Sequence, residues 1–383
     1  MSSIKKQFML DPKVTYLNHG SFGATPKPVF REYQRWQREL EKQPVEFLGR
    51  RITNLLAESR TALGNYLGTH ADNLVYTQNV TGSINIIARS LELDVNDEVL
   101  ATDHEYGAMD RTWRFLSKEH GFRYINRHIE LPLRTEEKFI EDFWRGVTPQ
   151  TRVIFLSHIT SPTAIILPVE EIIRRAQKAG IITIIDGAHV PGQLPLNLDS
   201  LGADFYGGNL HKWLCAPKGV GFLYARPEMQ HLLKPLIVSW GYEAQTPGPS
   251  QFVDHHEWWG TRDMSAFLSV PKAIEFQKEN IWDNIRESCH VLAAYAQKRI
   301  NELTGIASLH SNAESWFRQM IAAPLPLDTD IKHLKTRLYD DYRIEVPVHE
   351  WNGKKLIRVS VQGYNTKRDI DKLCRALSAL LEI

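Results

Sequence analysis

Ile181-Ile182-Thr183-Ile184-Ile185-Asp186-Gly187-Ala188-His189 is an apolar run that stops abruptly on an acid, a glycine and a histidine. It is short, β-branched and apolar on both faces, which reads as a strand buried inside a parallel sheet. The segment before it, 168–179, has helical spacing and stops at Gly180, the residue type favoured just past a helix end. Working outward, Val153-Ile154-Phe155-Leu156 is another buried run, ending in Ser157 and His158. Helix-like stretches at 108–120 and 136–146 alternate with strand-like ones at 98–101 and 122–129, and Asn85-Ile86-Ile87-Ala88 reads as helix. Downstream, 203–208 and 220–225 add two strands. Upstream, Val29, Phe30, Tyr33, Trp36 and Leu40 make one amphipathic helix, and Ile52, Leu55, Leu56, Leu63 and Leu67 a second. Such alternation predicts an α/β fold with a mainly parallel sheet. Ligands of these sheets sit outside the carboxyl ends of the strands, which directs attention to 157–161, 186–189 and 209–212.

The pattern changes after about residue 250. Pro247-Gly248-Pro249-Ser250 reads as a connector, followed by long helices near 265–279 and 281–303. A strand at 319–323 and a helix at 330–340 are expected next. Two alternating runs, 344–350 and 355–361, flank Trp351-Asn352-Gly353, and Asn-Gly in that setting predicts a hairpin. A last helix, 367–381, completes the expectation of a large α/β domain, 15–260, and a smaller α+β C-terminal domain, 265–383, with residues 1–14 as an arm.

Composition narrows the function classes. The 383 residues are 43% hydrophobic and 24% charged, within the range of a globular chain with a sizeable core. Lysine plus arginine total 46 against 45 acids, so no basic field invites a nucleic acid backbone. Cys215, Cys289 and Cys374 are far apart and form no C-x-x-C pair, which argues against a disulfide framework or structural zinc and suits a reducing compartment. No run is apolar enough for a signal peptide or a membrane span, so a cytoplasmic protein without membrane or nucleic-acid partners is expected.

Three features carry chemistry. Asp186 ends an apolar strand, where a carboxylate needs a cationic or hydrogen-bonded partner. Lys212, in Gly207-Gly208-Asn209-Leu210-His211-Lys212-Trp213-Leu214, sits just past another strand end among apolar neighbours that lower its pKa and favour the nucleophilic amine. A structural ion pair between the two is the plainer reading. Thr77-Gln78-Asn79-Val80-Thr81-Gly82-Ser83-Ile84-Asn85 opens into a helix, an anion seat that suits phosphate, though Thr and Ser are also ordinary helix caps. Together the amine, the strand-end acid and the anion seat match the needs of pyridoxal 5'-phosphate: a Schiff-base lysine, a partner for the pyridine nitrogen and a phosphate cradle.

Tyr16-Leu17-Asn18-His19-Gly20-Ser21-Phe22-Gly23-Ala24, Asp186-Gly187-Ala188-His189, His211-Lys212-Trp213-Leu214 and Arg358-Val359-Ser360-Val361-Gln362-Gly363-Tyr364-Asn365 resemble the class V aminotransferase family of pyridoxal-phosphate enzymes, and within it the isopenicillin N epimerase group. The resemblance runs from about residue 15 to the C-terminus and implies fold type I. It implies that Lys212 carries the cofactor and moves the Cα proton, and that Asp186 pairs with the ring nitrogen. By the same resemblance His189 meets the ring hydroxyl, and Val80, Thr81, Asn209 and His211 meet the phosphate. Tyr106 is expected to stack on the ring, with His104 as its rival, and Ser161 stands where relatives often have Asn. Arg358 resembles the arginine that grips the substrate carboxylate, and Thr261 is sent to the phosphate of a partner subunit, implying a homodimer with shared active sites.

Absences sharpen this. Cysteine desulfurases need a catalytic Cys before the arginine strand, and no Cys lies between 290 and 373. Asp254-His255-His256-Glu257 reads as a polar loop near the entrance rather than a metal site, and the Trp258-Trp259 pair as interface or substrate wall. The expected activity is at Cα of an amino acid or amino-acid-containing substrate, as an epimerase, racemase or aminotransferase. A C–S lyase acting on a cysteine derivative, and a non-catalytic phosphate-ligand-binding protein, are the alternatives.

Overall fold

In the computed structural model, which describes residues 4–311 and 314–383, the isoleucine run forms the middle strand of a seven-stranded sheet. The strands in chain order are β1 (Thr15–Tyr16), β2 (Leu74–Thr77), β3 (Glu98–Thr102), β4 (Arg123–Arg127), β5 (Thr151–Ser157), β6 (Ile182–Gly187), β7 (Phe205–Asn209), β8 (Gly221–Ala225), β9 (Met320–Leu325), β10 (Ile344–Glu345), β11 (Val348–Trp351) and β12 (Lys354–Ser360). The large sheet has the order β2-β8-β7-β6-β5-β3-β4, and only β8 runs against its neighbours. Helices cover both faces, so β5, β6 and β7 are buried almost throughout, as their unbroken apolar runs require. Parallel register sets Ser157 beside Asp186 and Asp186 beside Gly207. The carboxyl ends of three strands thereby share one rim.

Asn352 and Gly353 turn the chain between β11 and β12 with φ of 45° and 73°. Positive φ at both turn positions matches the twist of the flanking strands, which is why Asn-Gly is favoured there. β12 also pairs with β9, and this three-stranded antiparallel sheet packs on the helix Trp282–Thr304. The expected strand 344–350 is two pieces. Pro347, which has no N–H to donate, separates β10, paired in parallel with β1, from β11. The expected helix 265–279 is likewise divided into Ser265–Leu268 and Val270–Glu279, because Pro271 removes a donor from the ladder. The four-residue β2 has no counterpart in the sequence reading.

One contiguous apolar core includes Leu156 and Ile185 of the large sheet together with Ile357 and Val359 of the small one. The pairing of Asn18 with Ser360 at the end of β12 adds a second tie for the N-terminal segment beside the β1–β10 pair. No described helix is long and apolar enough to cross a membrane.

Candidate active site

Asp186 occupies the carboxyl end of β6 and is 3% exposed. Its Oδ1 accepts the Ala188 N–H at 2.9 Å, while Oδ2 has no hydrogen-bond partner among the described residues. Burial pushes the carboxyl up to about 6, against the opposing pull of that N–H and of the Lys212 charge. The next residue must be glycine. A Cβ at Gly187 would lie 2.0 Å from the Tyr206 ring, so only a bare backbone lets β6 pass.

Lys212 follows β7 and reaches the same cavity, with Nζ 3.2 Å from His189 Nε2. Burial lowers the amine to about 7, helped by the Arg358 charge and opposed by Asp186. His189 is in turn bonded to Trp213, whose Nε1 donates to Nδ1 at 3.2 Å. His211 Nδ1 is 3.0 Å from the Val220 carbonyl oxygen, to which it donates, and burial depresses this ring to about 4.

The helix Val80–Ser90 starts beside these groups. Asn79 caps it, accepting the Gly82 N–H at 3.0 Å. The Val80 N–H is committed to Asn209 Oδ1 at 2.9 Å, which leaves the Asn209 amide nitrogen and the first-turn N–H of Thr81 as the open donors. Val80, Thr81, Tyr106, Asp186, His189, Asn209, His211 and Lys212 all line one cavity of about 300 Å³.

Of the two rivals for the ring face, only Tyr106 faces this cavity; it is 49% exposed. His104 points away, its Nδ1 2.8 Å from Thr163 Oγ1 and its ring 4.4 Å from that of Trp351. Ser161 lines the cavity, and Arg358, buried on β12, donates to it. The remaining terminal nitrogen of Arg358 donates to Ser21 Oγ at 3.0 Å. Burial lowers this guanidinium only to about 10, so it stays charged. Thr261 is exposed and does not line the cavity of its own chain, and Trp258 is half-buried against the core.

The stretch 254–257 is helical rather than a polar loop. Its Glu257 is buried and paired with Arg60 at 2.5 Å, a bond that takes the acid away from the entrance. Among the described residues no three His, Cys, Asp or Glu side chains cluster as metal ligands.

Sequence reasoning missed four neighbours of the site. Ser21 and Phe22 lie in a quoted motif but carry no signal of their own; they reach the cavity because Gly23, at φ 68°, packs where a Cβ would strike the His211 carbonyl. Glu105 is buried behind Asp186, accepting the Ser157 N–H at 2.8 Å and its hydroxyl at 2.6 Å, and burial pushes it up to about 8. Trp213 was read only as an apolar neighbour.

The family model for class V aminotransferases matches residues 15–373. The chain belongs to the class V aminotransferase family. Isopenicillin N epimerase of Amycolatopsis lactamdurans is 35% identical over 393 residues, covering 99% of this chain and 98% of that protein. The L-cysteine desulfhydrase-like protein lolT2 of Epichloe uncinata is 26% identical over 434 residues, covering 98% and 92%. A solved structure of C-DES with glycine covalently linked to its pyridoxal-phosphate cofactor superposes with a TM-score of 0.87 over 98% of this chain and 99% of that one. At 20% identity that likeness speaks for the fold, which is the α/β class expected from the sequence.

This class V protein is an enzyme, and its cofactor is pyridoxal phosphate. The donor set fits that group. An enclosed amine, a carboxylate oxygen with no partner among the described residues and a capped helix start converge on one cavity.

Proposed function

We propose that the enzyme moves the Cα proton of an amino acid or amino-acid-containing substrate, as an isopenicillin-N-epimerase-like epimerase. The observation that carries this reading is the convergence of the Lys212 amine and the Asp186 carboxylate in one cavity, in a chain 35% identical to an epimerase. Lys212 holds the cofactor, and Asp186 Oδ2 takes the ring N–H. Thr81, Asn209 and His211 hold the phosphate, joined by Val80 if its N–H leaves Asn209. His189 meets the ring hydroxyl and Tyr106 the ring face. Bound there, the cofactor supplies an electron sink for the charge left when the Cα proton departs. The Lys212 amine, held below the usual lysine range by burial, is suited to take that proton. Arg358 grips the substrate carboxylate, and a planar fork suits that task better than a lysine would. Inversion of the centre requires that the proton leave to Lys212 on one face and that a second acid supply one on the opposite face; return away from Cα gives transamination.

The same reading assigns 15–260 to the cofactor domain and 265–383 to the small domain, with the arm 1–14. It assigns the protein to the cytoplasm, in keeping with three unpaired, buried cysteines. It also makes the enzyme a homodimer in which Thr261 serves the partner's phosphate. Trp240, 86% exposed, and Val238, 65% exposed, are apolar surface that a second copy would cover. Sedimentation should then give twice the chain mass.

The second reading is a C–S lyase, favoured by the desulfhydrase-like relative. Incubation with L-amino acids and sulfur-containing derivatives in deuterated water separates the outcomes. Exchange at Cα with loss of optical purity supports the epimerase. Keto-acid release means transamination, pyruvate with a sulfur product means the lyase, and either result sinks the first reading. Borohydride trapping followed by peptide mapping should put the cofactor on Lys212 and nowhere else.

A further inference from the structure

The indole N–H of Trp213 can only donate, and it lies 3.2 Å from His189 Nδ1. That nitrogen must therefore present its lone pair. His189 is 2% exposed, and burial, helped by the Arg358 charge, keeps the ring neutral. A neutral imidazole that accepts at Nδ1 carries its proton on Nε2. Nε2 lies 3.2 Å from Lys212 Nζ, so this N–H points into the cavity. The opposite tautomer would set two donors face to face in a buried place, leaving both without an acceptor.

Trp213 is itself held. It is fully buried, its carbonyl accepts from Gln277 Nε2 at 2.8 Å, and its ring lies 5.1 Å from that of His19. Its backbone is pressed by Gly192, where a Cβ would come within 2.3 Å of it. The donor therefore has one direction.

We propose that Trp213 is a positioning residue whose indole N–H fixes His189 as the Nε2–H tautomer, so that the imidazole enters the cavity as a hydrogen-bond donor and never as a base. That the acceptor is an oxygen of the cofactor rests on the proposed function; the tautomer does not. The same Nε2–H favours a neutral Lys212, which alone can accept from it.

The test uses pyridoxal-phosphate-loaded protein labelled with ¹⁵N at histidine rings and tryptophan indoles. The His189 resonances, identified by their loss in His189→Gln, should show an unprotonated Nδ1 and a protonated Nε2 throughout pH 6 to 9. A coupling across the Trp213 N–H···N bond should be measurable in the native protein. A protonated Nδ1, a doubly protonated ring, or the absence of that coupling overturns the proposal. In Trp213→Phe the ring should convert to a mixture of tautomers, and the pH midpoint of the visible cofactor band should move. An unchanged tautomer in that variant also overturns it, and should the variant not fold, the native spectra decide alone. Cofactor found on a residue other than Lys212 would defeat the proposed function while leaving the tautomer intact, so the two failures are separable.

Discussion

Arg358 Nη1 donates to Ser161 twice, to the backbone oxygen at 2.7 Å and to the hydroxyl at 3.0 Å. The bond ties a strand of the small sheet to the loop that follows β5 in the large one. With Ser21 on its other terminal nitrogen, the guanidinium is aimed before any substrate arrives, while its Nε is buried with no hydrogen-bond partner among the described residues. The hairpin built on Asn352-Gly353 thus sets a cation against Ser21 and Ser161, which line the cavity from the N-terminal segment and from the loop after β5.

Arg358→Lys keeps the charge and loses the fork. A hydrogen bond to a charged group contributes about 1.5–3 kcal/mol, so kcat/KM should fall about 10- to 100-fold. The loss should appear in KM more than in the cofactor's visible spectrum. Steady-state kinetics with an unchanged spectrum would support the assignment, and unchanged KM would remove Arg358 from the substrate site.

Asp186→Asn preserves an acceptor for the Ala188 N–H but removes the charge. An ion pair at an effective dielectric near 20 is worth about 4 kcal/mol, so turnover should drop by about a thousandfold. Phosphate affinity, which the proposed site places at the helix start, should stay within a few fold. Equilibrium dialysis against pyridoxal phosphate, run beside the kinetics, separates the two quantities.

Glu105 gives a pH signature. Its carboxyl is raised from 4.5 to about 8, chiefly by burial. Between those values the folded protein binds more protons than the unfolded chain, so this group's stabilising contribution is full below about 4.5 and is lost as pH rises through about 8. The slope is on the order of 1.4 kcal/mol per pH unit within that window. Glu105→Gln can still accept from Ser157 and donate to Thr102, and it lacks the titration. Urea unfolding of the cofactor-free chain should find the variant similar to the native protein near pH 5 and more stable than it above pH 8. A constant difference across pH would mean that Glu105 does not titrate there.

Gly187→Ala drives a methyl group into the Tyr206 side chain, 2.0 to 2.2 Å from two ring carbons and the phenolic oxygen. Overpacking of a closed core costs about 1–3 kcal/mol, occasionally more. Adding Tyr206→Leu should recover part of the loss, because the pair is in contact and the two effects should not add. Thermal unfolding of both single variants and the double one reads this directly.

How much of this was legible beforehand differs between elements. Ile182–Gly187 was readable because a β-branched run apolar on both faces has few other places to go, and Gly180 marks where the preceding helix must stop. The hairpin was readable from Asn-Gly. β2 was not, since four residues at an antiparallel edge carry too little pattern to separate strand from loop. The breaks at Pro271 and Pro347 were foreseeable from the missing N–H, yet the periodicity on either side hid them.

Local sequence by itself determined the long buried strands and the amphipathic helices, that Asp186 and Lys212 stand at strand ends, and that residues 77–85 open a helix, because dihedral preference and apolar period are properties of neighbours along the chain. Packing decided the rest. That Tyr106 faces the cavity while His104 turns to Thr163 and Trp351, that Glu105 is sealed behind Asp186, and that Trp213 reaches His189 across 24 positions all depend on directions of side chains brought together from distant segments. Pairing and burial of that kind arise only when the sheet has closed and water has been excluded, and no spacing within one segment encodes them.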